Sequence, residues 1–185
     1  MQIRTALPRR TPADTATDAP AIDWSAVYAD QLPRVYNYFR FRTGDNPLAE
    51  DLTAATFERA WRARDQYRQD RGAASTWLFA IARSVAASHF RRRRPRQDLP
   101  LDWAEGACAD RALPEEAQHR GDLARLHMLL AQLPDREREL IELKYAAALT
   151  NRAIAALLGM GESNVGTTLH RIVRRLGRDW EEQEP

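Results

Sequence analysis

The stretch from Thr150 to Leu176 constrains the fold of this 185-residue chain more than any other. Its first part has one apolar face, formed by Ile154, Leu157 and Leu158, and Gly159 follows where a helix end needs a left-handed backbone. A second apolar stripe recurs at steps of four, three and four, at Val165, Leu169, Ile172 and Leu176. The pattern therefore predicts two amphipathic helices joined by a tight turn.

The second of these helices has a polar outer surface. It carries short donors and acceptors near its start and arginines further on: Ser163, Asn164, Thr167, Thr168, His170 and Arg171. Such side chains suit a recognition helix in the DNA major groove. An ordinary helical hairpin with a polar face would give the same pattern, so DNA binding is a hypothesis from this stretch alone.

Basic residues are unevenly distributed, although the net charge is only +2. Residues 83–96 hold six arginines and no acid, and four of the arginines are consecutive, at 91–94. Cations at a helix end are stabilising by themselves. Because Arg83 and Ser84 extend the polar surface back along the same helix, we favour contacts with nucleic-acid phosphates.

The loop at residues 65–75 combines an aromatic ring with positive charge, in Tyr67, Arg68 and Arg71. A tyrosine beside arginines can stack on an unpaired base and hold its phosphate. The same residues occur in many surface loops. In the helix before this loop, Glu50, Asp51 and Glu58 make an acidic face, which is either a solvated surface or a docking site for a basic partner.

Helical periodicity extends over most of the rest of the chain. Helices are expected over residues 22–42, 47–64, 76–94, 115–132 and 135–147. Within them, Pro33 should kink or split the first, Trp61 should be buried in the second, and Asp135 should cap the last. The sequence thus predicts an all-α fold of two small domains, residues 22–96 and 117–182. A disordered tail (1–21) and a linker (97–116) flank them, with a short tail after Leu176.

Composition excludes several other classes. Hydrophobic residues make up 44% of the chain, enough for a packed core, and Cys108 is the only cysteine. A disulfide framework or a Cys-rich zinc site is therefore excluded, and we expect neither a metal nor a cofactor. No apolar run is long enough to span a bilayer, so we expect a soluble, cytoplasmic protein. Neither a phosphate-binding glycine loop nor a nucleophile constellation is present, which predicts a protein without enzymatic activity.

Four stretches together carry a family resemblance. They are PLAEDLTAATFERAW (47–61), STWLFAIARSVAASHFRRRR (75–94), LLAQLPDREREL (129–140) and AIAALLGMGESNVGTTLHRIVRRL (153–176). In this order and spacing the chain resembles the bacterial extracytoplasmic-function sigma factors. These are two-domain specificity subunits of RNA polymerase.

The resemblance implies a role for each surface. In the family the first domain binds the clamp helices of core RNA polymerase and melts the promoter −10 element, and the second reads the −35 element and sits on the polymerase flap. The matching polymerase-binding residues are Glu50, Asp51, Glu58 and Arg59. The matching −10 residues are Tyr67, Arg68, Arg71, Trp77, Arg83, Ser84, Ser88, Arg91 and Arg92. The matching −35 residues are Glu162, Ser163, Asn164, Thr167, Thr168, His170, Arg171 and Arg174.

The resemblance also implies an anti-sigma factor as a partner. Such partners are often membrane proteins, so the chain would be cytoplasmic but could be held at the membrane. Several residues depart from the family pattern: Ser84 stands where Asn is usual, and Gly166 where Lys is frequent. Because Gly166 offers no contacting side chain, we expect the isolated protein to bind promoters weakly.

Two other functions remain open at this point. A helix-turn-helix regulator would bind duplex DNA tightly without polymerase, and a sigma-like decoy would titrate a regulator without opening promoters. Trp103 and Cys108 in the linker have no assigned role.

Overall fold

A computed structural model describes residues 22–93 and 114–182 of the chain. The helices are α1 (Trp24–Thr43), α2 (Asn46–Arg62), α3 (Ala74–Arg93), α4 (Pro114–Ala131), α5 (Asp135–Ile141), α6 (Asn151–Leu158) and α7 (Glu162–Glu182). Two short 3-10 turns, Arg64–Gln66 and Gln69–Arg71, lie between α2 and α3, and a π-helical turn, Glu142–Ala146, continues α5. The described ranges contain no strand, which confirms the predicted all-α fold. The predicted tail and nearly all of the predicted linker lie outside the described residues.

Helices α1 to α3 form the first bundle, because each buries one apolar stripe. Asp23 caps α1 by accepting bonds from the backbone amides of Ser25 and Ala26, at 2.9 and 3.2 Å. Gly44 ends the helix in the left-handed conformation, at φ 69°. The largest fully buried side chains of this bundle are Val35, Tyr38, Phe39, Leu78 and Phe79.

Helices α4 to α7 form the second bundle, and α6 and α7 are the predicted helix-turn-helix. The side chain of Thr150 accepts the Ala153 amide at 3.2 Å and so caps α6. Gly159 closes α6 at φ 65°, the left-handed turn that the sequence predicted. The stripes meet as expected, since Ile154 and Val165 are fully buried.

Four local expectations were wrong in whole or in part, two of them in the first bundle. Pro33 does not split α1, which is continuous across it. Pro33 and Ala29 lie on the exposed side, where water can bond the carbonyl that a proline leaves unpaired. Trp61 is 58% exposed, because the buried stripe of α2 runs through Leu52, Thr56 and Ala60 and passes one position before it.

The other two lie in the second bundle. Pro134, not Asp135, is the N-cap of α5, and no side chain caps this helix. The chain after Leu176 is not a tail, because α7 runs to Glu182. Its end is held where the Arg125 guanidinium lies 4.3 Å from the centre of the Trp180 ring.

Candidate promoter and polymerase interfaces

The recognition helix α7 has one buried face and one exposed face. Val165, Leu169 and Ile172 are at most 5% exposed. Of the predicted −35 residues, Thr168 is half-buried and the others are exposed: Glu162, Ser163, Asn164, Thr167, His170, Arg171 and Arg174. Since the spacing of 163, 167, 170 and 174 follows the helical repeat, these side chains form one stripe that a DNA groove could meet.

Hydrogen bonds within α7 already use some of these groups. The Thr167 hydroxyl donates to the Ser163 carbonyl at 3.0 Å, and the Thr168 hydroxyl donates to Asn164 Oδ1 at 3.2 Å. A hydroxyl that has donated its proton still has lone pairs, and the amide nitrogen of Asn164 remains a donor. This arrangement can accept from a base amino group and donate to a base acceptor without breaking either bond.

Behind α7, ion pairs connect the helix to α5. Glu137 accepts from Arg175, and Arg171 lies 3.6 Å from the same carboxylate. The Arg171 side chain is 71% exposed, so leaving this pair for a phosphate would cost little.

The start of α6 lies close to α7 at Gly166. A Cβ atom at this position would lie 3.3 Å from Asn151 Nδ2. The other amide atom, Asn151 Oδ1, accepts from Lys144 Nζ at 2.9 Å. Gly166 therefore lacks a DNA-contacting side chain at a point where a larger residue would press on Asn151.

The Tyr67 loop is more structured than its composition suggests. The Tyr67 ring packs against Trp24 and Trp77, with ring centres 5.7 and 5.3 Å away. Its hydroxyl donates to the Gly72 carbonyl at 2.7 Å, and partial burial raises the pKa of the phenol. Tyr67 thus holds the loop, which leaves only part of its ring for a base.

Sequence reasoning missed an aromatic cleft beside this loop. A cavity of about 410 Å³ is lined by side chains from all three helices, including Trp24, Tyr28, Phe57, Trp61 and Trp77. The Trp24 and Tyr28 spacing of four residues was the available signal, but such spacing more often marks a core stripe. Tyr28 and Trp61 are 48% and 58% exposed, so part of the aromatic lining of the cleft is accessible from solvent.

The rest of the −10 set lies in the Tyr67 loop and along α3. Arg68 bonds Asp70 and lowers the pKa of its carboxyl, and Arg71 is exposed. Ser84 and Arg91 are exposed, and the half-buried Ser88 donates to the Ser84 carbonyl at 2.8 Å. The side chain of Arg92 lies outside the described residues.

Arg83 does not face the same way as the rest of this set. Its Nε lies 2.8 Å from Glu139 Oε1, and another guanidinium nitrogen donates to the Leu157 carbonyl at 2.7 Å. Both partners belong to the second bundle, so α3 presents Ser84 and Arg91 to solvent while Arg83 binds another part of the protein.

The predicted polymerase-binding residues all lie on α2 and are exposed. Glu58 pairs with Arg62 one turn later. Arg59 donates to Ser84 Oγ at 3.2 Å, which places the proposed polymerase-binding face next to the proposed −10 face.

Two other kinds of feature are absent from the part of the chain that the structure describes. Within residues 22–93 and 114–182, no group of three or more His, Cys, Asp or Glu side chains could hold a metal ion. None of the helices in the described ranges is long and apolar enough to cross a membrane.

These features define a two-bundle, all-helical protein with a helix-turn-helix, an exposed polar stripe on α7 and a second, aromatic surface on the first bundle. The sequence model for sigma-70 region 2 matches residues 27–96, and the model for sigma-70 region 4 matches residues 123–176. The ECF RNA polymerase sigma factor RpoE of Cereibacter sphaeroides is 31% identical over 155 residues, covering 84% of this chain and 83% of the relative.

The chain therefore belongs to the ECF group of the sigma-70 family. Proteins of this family bind core RNA polymerase and direct promoter-specific initiation, and the chain is such a sigma factor. The ECF sigma factor BldN of Streptomyces coelicolor is 29% identical over 153 residues, which are 82% of this chain but 58% of that longer protein. In structure, the chain is similar to the sigma factor RpoE of Bartonella quintana, solved with the anti-sigma factor NepR. The TM-score is 0.64 at 24% identity, over 88% of this chain and 99% of that one.

Proposed function

We propose that the two bundles divide promoter recognition between them, with residues 22–96 acting on the −10 element and residues 117–182 on the −35 element. The observation that carries this division is the exposed polar stripe of α7, opposite a stripe that is almost completely buried. The −35 contacts are assigned to that stripe and to the positions next to it, with Arg174 on phosphate and Asn164 with Thr168 on base edges. Neither a free-standing duplex regulator nor a decoy is favoured, because both sigma-70 regions match this chain and its relatives are ECF sigma factors.

The first bundle would hold the opened −10 strand. Extruding a base costs roughly a few kcal/mol in lost stacking. Arg71 and Arg91 are exposed and supply positive charge for the phosphates of the strand, and stacking of a base on an aromatic ring returns about 1–3 kcal/mol. Exposed acids on α2, above all Glu50 and Asp51, would bind basic residues of the polymerase clamp helices. The polymerase then carries out the chemistry, and this chain needs no catalytic group of its own.

An anti-sigma factor is a further expected partner. The solved sigma factor from Bartonella quintana binds NepR, and a regulator of that kind would cover the surfaces that we assign to polymerase. Since the polymerase of bacteria works in the cytoplasm, we expect this chain there, free or held by such a regulator.

Transcription with core polymerase tests the −35 assignment. On a promoter mapped with the wild-type protein, Arg174→Ala should lower transcript yield several-fold and reduce the slope of log binding against log salt by about 1. The matched control is Arg178→Ala, one turn further along the exposed side of α7. The assignment would be contradicted if both variants lost transcript yield equally. It would also be contradicted if Arg174→Ala lost as much yield on a promoter with a scrambled −35 element as on the intact promoter.

The −10 assignment needs a readout of strand opening. Arg91→Ala should reduce permanganate reactivity of thymines in the −10 element, while polymerase binding stays intact. Arg40→Ala, an exposed arginine on α1, is the control. If opening is unchanged in Arg91→Ala, the phosphate contact lies elsewhere.

A further inference from the structure

Arg59 lies away from Glu50, although the family resemblance places both residues in the polymerase-binding set. The two positions on α2 are separated by about two and a half turns at roughly 3.6 residues per turn, so they lie on opposite sides of the helix. Glu50 lines a cavity together with Tyr28 and Leu32 of α1. Arg59 instead donates to Ser84 Oγ of α3 at 3.2 Å. Arg59 therefore belongs to the side of α2 that meets α3.

The charge of Arg59 is not neutralised within the part of the chain that the structure describes. Its side chain is exposed, and none of the ion pairs in residues 22–93 and 114–182 includes it. Ala55, one turn earlier on α2, carries no charge, and the adjacent Glu58 pairs with Arg62. An exposed guanidinium without a carboxylate partner can bind an anion from another molecule.

The Ser84 hydroxyl fixes the position of this guanidinium. Its oxygen accepts from Nη1 of Arg59, and the other N–H groups of the planar fork can donate elsewhere. The same hydroxyl can still donate its own proton. The two side chains thus offer several donors within one small area, and charged donors of this kind make strong hydrogen bonds to phosphate oxygens.

The same polar surface continues along α3. Ser84, Ser88 and Arg91 follow one another at steps of four and three, so they share one side of the helix. The row from Ser84 to Arg91 is about 10 Å long at roughly 1.5 Å per residue. That length corresponds to about three steps of a strand at roughly 3.4 Å per phosphate. A strand that follows this row would meet Arg59 at one end and Arg91 at the other.

We propose that Arg59 binds a phosphate of the opened −10 strand and that Ser84 is its positioning residue. The proposal rests on the −10 role proposed for the first bundle, and it moves Arg59 from the polymerase-binding set to the DNA-binding set. Helix α2 then serves two partners, with Glu50 on the polymerase side and Arg59 on the DNA side. Because every nucleotide carries the same phosphate, this contact adds affinity for the strand without base preference.

The test measures how a labelled single strand binds to holoenzyme assembled from core polymerase and the full-length protein. The strand carries the non-template −10 sequence of a promoter mapped with the wild-type protein. Arg59→Gln should weaken binding several-fold and lower the slope of log affinity against log salt by about 0.7, the value for one phosphate contact on a single strand. Arg62→Gln is the matched control, since Arg62 is an exposed arginine of the same helix that pairs with Glu58, and it should keep the wild-type slope. Ser84→Ala should weaken binding without changing the slope, because the charge of Arg59 remains, and Ser84→Thr should restore the affinity.

The proposal is overturned if Arg59→Gln keeps the wild-type slope, or if this variant loses affinity for core polymerase. It is also overturned if the loss occurs only on strands with one particular base, because Arg59 would then read a base edge. A lower urea midpoint with an unchanged slope would show that the Arg59–Ser84 bond only links α2 to α3. Failure of the proposed −10 function itself looks different, since wild-type holoenzyme would then bind a shuffled strand as tightly as the −10 strand.

Discussion

Two glycines inside α7 allow a quantitative test of how closely α6 and α7 approach. Gly166 and Gly177 both lie in the helix interior, where replacing Gly by Ala gains about 1 kcal/mol of stability. A Cβ at Gly177 would meet no atom within 4 Å, whereas a Cβ at Gly166 would lie 3.3 Å from Asn151 Nδ2. Asn151 cannot move freely, because Lys144 bonds its other amide atom at 2.9 Å.

Gly177→Ala should therefore raise the free energy of unfolding by the full amount, about 1 kcal/mol. Gly166→Ala should gain little or nothing, because moving Asn151 weakens a partly exposed bond to a cation worth about 1 kcal/mol. In an Asn151→Ala background the gain at Gly166 should return. That variant removes the atom that the new methyl group would meet.

Urea unfolding, followed by circular dichroism in all combinations, measures these values as a double-mutant cycle. The coupling between positions 166 and 151 should be clear, and that between positions 177 and 151 close to zero. If Gly166→Ala stabilises the protein as much as Gly177→Ala does, the approach of Asn151 to α7 does not constrain that position. Close packing against Asn151 would then not explain the glycine at position 166.

Three further outcomes are expected. Tyr38→Phe should leave the free energy of unfolding unchanged or raise it by about 1 kcal/mol in thermal unfolding, because the buried Tyr38 hydroxyl has no hydrogen-bond partner in the described residues. A large loss of stability would show that the hydroxyl does have a partner. Thr150→Ala should cost about 1 kcal/mol through the lost cap on Ala153, and an unchanged urea midpoint would contradict this. Burial, opposed by Arg42, raises the pKa of Glu142 above its ordinary value of 4.5. The folded protein then binds this proton more readily than the unfolded chain, so the stabilisation that the bound proton gives should fade as pH rises through the raised pKa. Thermal unfolding at a series of pH values should show that this pH dependence disappears in Glu142→Gln.

Local periodicity was enough to predict the helix-turn-helix. The steps between Val165, Leu169 and Ile172 depend only on the helical repeat, and Gly159 takes the left-handed turn for a reason that is visible in the sequence. These features are set by neighbours within a few positions along the chain. The all-α fold is confirmed for the same reason, whereas the assigned contact residues remain predictions.

Contacts between distant parts of the chain were not predictable in this way. Arg83 lies in a basic segment, and nothing in its neighbourhood indicates that Glu139, 56 positions away, takes its guanidinium. The outward position of Trp61 depends on which side of α2 meets α1 and α3, and a helix with apolar residues on several sides leaves that choice open. The length of α7 was underestimated because the contact that holds its end, between Arg125 and Trp180, also joins separate helices.

Transcription in vitro tests the central claim most directly. Core RNA polymerase is incubated with fragments of the source genome, with and without the full-length protein. We predict discrete new transcripts that depend on the protein and share upstream sequences at −35 and −10. Tight binding of duplex DNA without polymerase, and no new transcript, would contradict the assignment as a sigma factor and point to a free-standing regulator.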